Sequence, residues 1–107
     1  MNRVSKTNTW EGSDGTRYTS AQVDRYVRRA CRERMEIQRE LFGYNFCMEC
    51  RINDRNAIID PSHDVSVDWL KKNGQVEQAW NTVIITPRCR GCHNVRDRLN
   101  VQHGKRI

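Results

Sequence analysis

Three observations in this sequence predict an α+β fold. Residues 20–42 carry apolar side chains at helical spacing. Two short runs, Ala57-Ile58-Ile59 and Thr82-Val83-Ile84-Ile85-Thr86, are rich in β-branched residues, and two Cys-x-x-Cys pairs bracket both runs. The 107 residues suit one domain, yet only 36% of them are hydrophobic. A chain this short and polar buries a thin core and needs a staple, either a metal or disulfides.

Taken in order, residues 1–18 are polar, contain glycine and show no period, so they read as a flexible arm whose Trp10 and Tyr18 can pin it to the body. Residues 19–43 read as one arginine-rich helix. Thr19 or Ser20 supplies the N-cap, Thr19 and Gln22 have capping-box spacing, and Gly43 is the stop. Val23, Val27, Ala30, Cys31, Met35 and Leu41 form its apolar face, which makes Cys31 a buried, inert thiol. Residues 44–107 hold everything else. A strand is expected at 57–59, with Pro61 tolerable only at an edge or strand end. One or two short helical turns follow over 65–81, with a turn at Asn73-Gly74. The strongest strand pattern is 82–86, ended by Pro87, and a helix is expected from Cys89 to Leu99.

Cys47-x-x-Cys50 and Cys89-x-x-Cys92 take four of the five cysteines. Such a turn aims two thiolates at one ion, and two of them complete the tetrahedral all-sulfur set that zinc accepts as a structural metal. Redox pairs or free thiols are the competing readings. No apolar run of 18 residues is present and no charged-then-apolar leader opens the chain, so the expectation is a cytoplasmic protein with no membrane partner. Disulfides are disfavoured in that compartment, which again points to metal.

The formal net charge is +6, from 19 basic and 13 acidic residues, and suggests a polyanionic partner. Arg25, Arg28, Arg29 and Arg32 crowd the long helix, and Arg88, Arg90 and Arg96 crowd the C-terminal stretch. Arginine's planar fork suits phosphate, so these seven are the candidate nucleic-acid contacts; an ordinary solvated face is the alternative.

Two histidines stand at telling places. His63 follows the first predicted strand in Asp60-Pro61-Ser62-His63-Asp64, and His93 follows the last paired cysteine in Pro87-Arg88-Cys89-Arg90-Gly91-Cys92-His93-Asn94. Over residues 44–100 this layout resembles the HNH, or His-Me finger, endonucleases of the zinc-stapled type, many of which are phage proteins. The resemblance implies a ββα-metal finger. It also implies His63 as general base, Asn81 as loop brace and His93 as ligand of a second, catalytic cation such as magnesium or manganese. Asp97, four residues after His93 on one helix, can join that ligand set. The chemistry is coherent: a neutral histidine takes the proton of the attacking water, and the cation neutralises charge on the phosphate.

The sequence departs from the pattern in two places. Ser62 stands where the family has an acidic or histidine metal ligand, with Asp60 and Asp64 as nearby substitutes. Ile84 stands where it has its middle asparagine, with Asn81 three residues earlier. The expected function is therefore a metal-dependent DNA endonuclease acting on duplex or branched DNA, in the cytoplasm of a bacterial host if phage-encoded. The alternative is a catalytically inactive zinc module that binds nucleic acid or a host protein. A homodimer would suit a double-strand cut.

Overall fold

The computed structural model describes residues 8–51 and 57–106, with side chains up to residue 98. The chain is an α+β fold with two separate two-stranded sheets. Its first element is a hairpin, β1 (Thr9–Glu11) paired antiparallel with β2 (Arg17–Thr19), with Trp10 opposite Tyr18. Gly15 adopts φ +87° in the turn, which side chains disfavour, and Asp14 Oδ1 accepts from Thr16 N–H at 3.0 Å. The expected loose arm is thus ordered from Thr9 onward. The cause lies outside the arm: Glu77 accepts from the backbone and hydroxyl of Ser13, and Lys71 Nζ sits 5.1 Å from the Trp10 ring centre. Residues 1–7 lie outside the described residues.

Helix α1 spans Ser20–Phe42. Thr19 and Gln22 close a reciprocal capping box, and Gly43 ends the helix at φ 84°, returning its N–H to Arg39 O. Val23 and Ala30 are buried from it, whereas Leu41 is 72% exposed and lies off the core face. Gln38 is also fully buried. Its amide donates to Phe46 O at 3.0 Å and accepts from Phe46 N–H at 3.1 Å, clamping the helix to the segment that leads into Cys47.

The second sheet pairs β3 (Ile59–His63) with β4 (Ile85–Cys89), antiparallel. Both strands lie further along the chain than their β-branched runs. Ala57 and Ile58 precede β3, and Thr82–Ile84 forms a 3-10 turn that Asn81 caps by accepting from Val83 N–H at 3.0 Å. Pro61 and Pro87 do not end the strands; they face each other in mid-ladder. An antiparallel ladder turns alternate N–H groups outward, so two facing prolines leave no ladder bond unmade. Between the strands lie α2 (Val67–Lys72) and a 3-10 turn at Val76–Trp80, with Gly74 at φ 69° between them. The last helix, α3 (Arg90–Arg106), begins one residue after Cys89 and continues past the expected end at Leu99. Val23, Ala30, Phe46, Cys47, Leu70, Val76, Ala79 and Ile85 form the core, between α1, the second sheet and the 3-10 turn. Among the described residues no helix is long and apolar enough to cross a membrane.

Candidate metal centre and histidine row

The β3–β4 ladder brings the two knuckles together. Met48 N–H donates to Pro87 O at 2.9 Å, which docks the first knuckle on the outer edge of β4 just before Cys89. The ligand atoms of Cys47, Cys50, Cys89 and Cys92 all lie within 4.8 Å of one another. Sulfurs bound to zinc at about 2.3 Å stand about 3.8 Å apart at tetrahedral corners. Cys50 Sγ and Cys89 Sγ are 3.7 Å apart, so the donor set fits such an ion.

Burial opposes ionisation of Cys47, but N–H groups of Cys50, Cys89 and Glu49 bring it down to about 6. Cys92 faces the other sulfurs, Cys89 above all, and is pushed up to about 12. Four sulfur ligands at this spacing could hold a structural metal ion such as zinc. Cys31 stays apart from the cluster as a half-buried thiol that desolvation pushes up.

One cation of the chain's own supports this corner. Arg88, expected on sequence to meet phosphate, is only 4% exposed. It bonds Glu49 at 3.0 Å, Asp64 at 2.7 Å and the Ser62 hydroxyl at 3.1 Å. A guanidinium so occupied is structural: it ties the first knuckle to β3 on either side of His63. Arg34 is structural too, donating to Ile85 O at 2.9 Å. Nothing local in the sequence distinguishes these two from the other arginines.

His63 ends β3 and is partly buried. Its Nε2 lies 2.8 Å from Ala79 O. A carbonyl only accepts, so Nε2 carries the proton and the lone pair of the neutral ring is on Nδ1. Desolvation holds His63 below the ordinary histidine value, against the raising effect of the Ala79 carbonyl and of Asp64. His93 and Asp97 on α3 lie close enough for their charges to act on His63 as well. Asn81 Nδ2 donates to Gln78 Oε1 at 3.0 Å, so this side chain spans the two 3-10 turns just after Ala79.

His93 has a carboxylate at each ring nitrogen: Asp60 Oδ2 is 3.2 Å from Nδ1, and Asp97 Oδ2 is 3.4 Å from Nε2. Asp60 is held well below the usual carboxylate range, chiefly by its bond from Arg90 at 2.8 Å. The Asp60 contact has hydrogen-bond geometry, whereas Asp97 only approaches the ring. An ion at Nδ1 would take Asp60 and one at Nε2 would take Asp97, so Asp60 competes with Asp97 as the partner of His93. Ser62 is fully buried on Arg88, and Asp64 is taken by Arg88 and Thr86. Among the described residues the four cysteines form the one cluster of three or more metal-ligating groups.

The remaining candidate arginines divide by exposure. Arg28 and Arg32 are exposed on α1, and Arg25 and Arg29 are exposed with their guanidinium groups over Tyr26. Arg90 is exposed but paired to Asp60, and Arg96 is partly buried 3.7 Å from Glu49. Comparison of the chain with protein-family models, curated proteins and solved structures finds no match to any of them.

Proposed function

We propose that this chain is a metal-dependent DNA endonuclease of the ββα-metal kind, with the cysteine-bound ion as its structural staple. The observation that carries the reading is His63: a partly buried histidine whose tautomer is set by the Ala79 carbonyl, within electrostatic range of His93 and Asp97. Burial keeps the ring neutral at pH 7, as a general base requires.

In this reading His63 Nδ1 takes a proton from water as the oxygen attacks phosphorus, and the opposite phosphorus–oxygen bond breaks. Asp60 and His93, whose ligand atoms stand 3.2 Å apart, would hold the second cation. When bound, that ion supplies Lewis-acid stabilisation of the phosphate and the leaving oxygen. Arg28 and Arg32, with Arg25 and Arg29, hold backbone phosphates without reading sequence. Asn81 braces the turn that carries the Ala79 carbonyl.

A second reading is supported by Ser62. It is buried on Arg88 where an acidic ligand belongs in the family that the sequence resembles, which suits a zinc module that binds DNA without cutting it. Plasmid nicking decides between the two. Zinc-loaded protein with magnesium or manganese is expected to nick, and His63→Ala is expected to lose cutting while keeping zinc and DNA affinity. Wild type that binds DNA but cuts no duplex, single-stranded or branched substrate with any divalent metal leaves the binding module standing.

A further inference from the structure

An open groove of about 430 Å³ lies between α1, β2 and the 3-10 turn Val76–Trp80, lined by Tyr18, Tyr26, Arg29, Ala30, Glu33 and Trp80. Its volume falls within the range of small-ligand sites, about 300–1,000 Å³. Three rings from three elements meet there. Tyr18 and Tyr26 each have their ring centre 5.0 Å from that of Trp80, and the two tyrosine centres are 6.2 Å apart. All three pairs are edge-to-face, and each of the three residues stays partly exposed at the groove. Arg25 and Arg29 hold their guanidinium groups 5.4 and 5.5 Å from the centre of the Tyr26 ring.

We propose that this groove stacks an unpaired nucleobase of the DNA substrate, with the flanking phosphates on Arg25 and Arg29. The inference rests on the nucleic-acid reading above and makes DNA carrying unpaired nucleotides the preferred substrate over unbroken duplex. The charges choose the occupant. A quaternary ammonium, the other frequent guest of clustered rings, would meet two cations already seated on Tyr26. An apolar side chain has no use for them. A nucleotide uses both features: π-faces stack any base, and arginines follow the backbone. Glu33 is the one carboxylate in the lining, and it accepts hydrogen bonds from the exocyclic amino groups of adenine, cytosine or guanine.

The groove is also wired to His63. Trp80 directly follows Ala79, the residue whose carbonyl holds the His63 ring. One short turn therefore carries both the stacking ring and the anchor of the candidate base.

The test uses the full zinc-loaded chain without added divalent metal and measures anisotropy of three labelled DNAs at one salt concentration. These are a duplex with a short single-stranded gap, the same gap built of abasic sugars, and an unbroken duplex. Wild type is expected to prefer the base-bearing gap over the abasic gap by about tenfold. Trp80→Leu is expected to erase that preference and Trp80→Phe to keep most of it. Equal affinity of wild type for the two gaps overturns the proposal, as does an unchanged preference in folded Trp80→Leu. If Trp80→Leu does not fold, Arg29→Gln decides: a larger loss on the gapped DNA than on the duplex supports the site, and an equal loss overturns it. Failure to bind all three DNAs overturns the nucleic-acid reading as a whole. Binding of duplex and both gaps alike removes only the stacking site.

Discussion

The cysteine cluster and the histidine row share the same two strands but are built to different standards of completeness. At the knuckle end, four sulfurs converge to within 4.8 Å, and Arg88, Met48 and Gln38 all brace the segments that carry them. Along the histidine row the contacts are pairwise. His93 meets Asp60 through one nitrogen and Asp97 through the other, while His63 sits three residues further along β3 than Asp60. A structural ion needs every corner filled by protein, whereas a working site keeps positions open for substrate and water. On the reading proposed above, folding free energy is concentrated at the knuckles and withheld from the histidine row.

The largest effect that can test this contrast is removal of the staple. Cys89→Ser, or a chelator strong enough to strip zinc, is expected to unfold the chain, since a closed zinc site contributes folding free energy directly. Circular dichroism and metal analysis read it, and a folded zinc-free protein would break the comparison. Next comes Arg88→Met, which leaves Glu49, Asp64 and Ser62 without their shared donor. Loss of a buried cation costs about 3 kcal/mol, the low end of its range here because both carboxylates keep access to water. Denaturant titration of zinc-loaded protein measures it.

The histidine row is expected to respond to pH rather than to collapse. The folded His63 titrates below the unfolded value of about 6.5, so the unfolded chain binds the proton more readily. Stability is therefore full above that pH and declines as pH falls through it. His63→Gln should flatten this decline in melting temperature between neutral and mildly acidic buffer. Smallest of all is the effect of Arg28→Gln with Arg32→Gln. No change in stability is expected, only a shallower salt dependence of DNA binding, by about two units of slope. An unchanged slope would mean that this face of α1 meets solvent alone.

How much of this was legible depended on whether the cause was local. The helix over 20–42 was readable from its period, and its ends from Thr19, Gln22 and Gly43, because caps act within a few residues. The cysteine pairs were readable because each pair lies within four residues of sequence. The strands were not. The β-branched run at Thr82–Ile84 turns into a 3-10 segment once Asn81 caps it, and the prolines sit in mid-ladder because each faces another proline. Neither fact appears until the register is known. Arg88 looked like its neighbours, since its burial depends on Glu49, Ser62 and Asp64, which lie 24 to 39 residues away. The ring cluster was equally hidden, with Tyr18 and Trp80 joined only by the fold.

The facing prolines have a consequence for what the chain does in a crowd. A two-stranded sheet has two outer edges, and an open edge is a template on which another chain can pair and aggregate. Here Pro87 offers no outward N–H, its carbonyl is taken by Met48, and the Ile85 carbonyl is taken by Arg34. Pro61 likewise leaves a gap in the donor row on the far edge. The β4 border is thus closed to strand growth over Ile85–Pro87 and the β3 border lacks one donor, so two residues that sequence rules place outside sheets make this sheet a poor template for ribbon-like polymerisation.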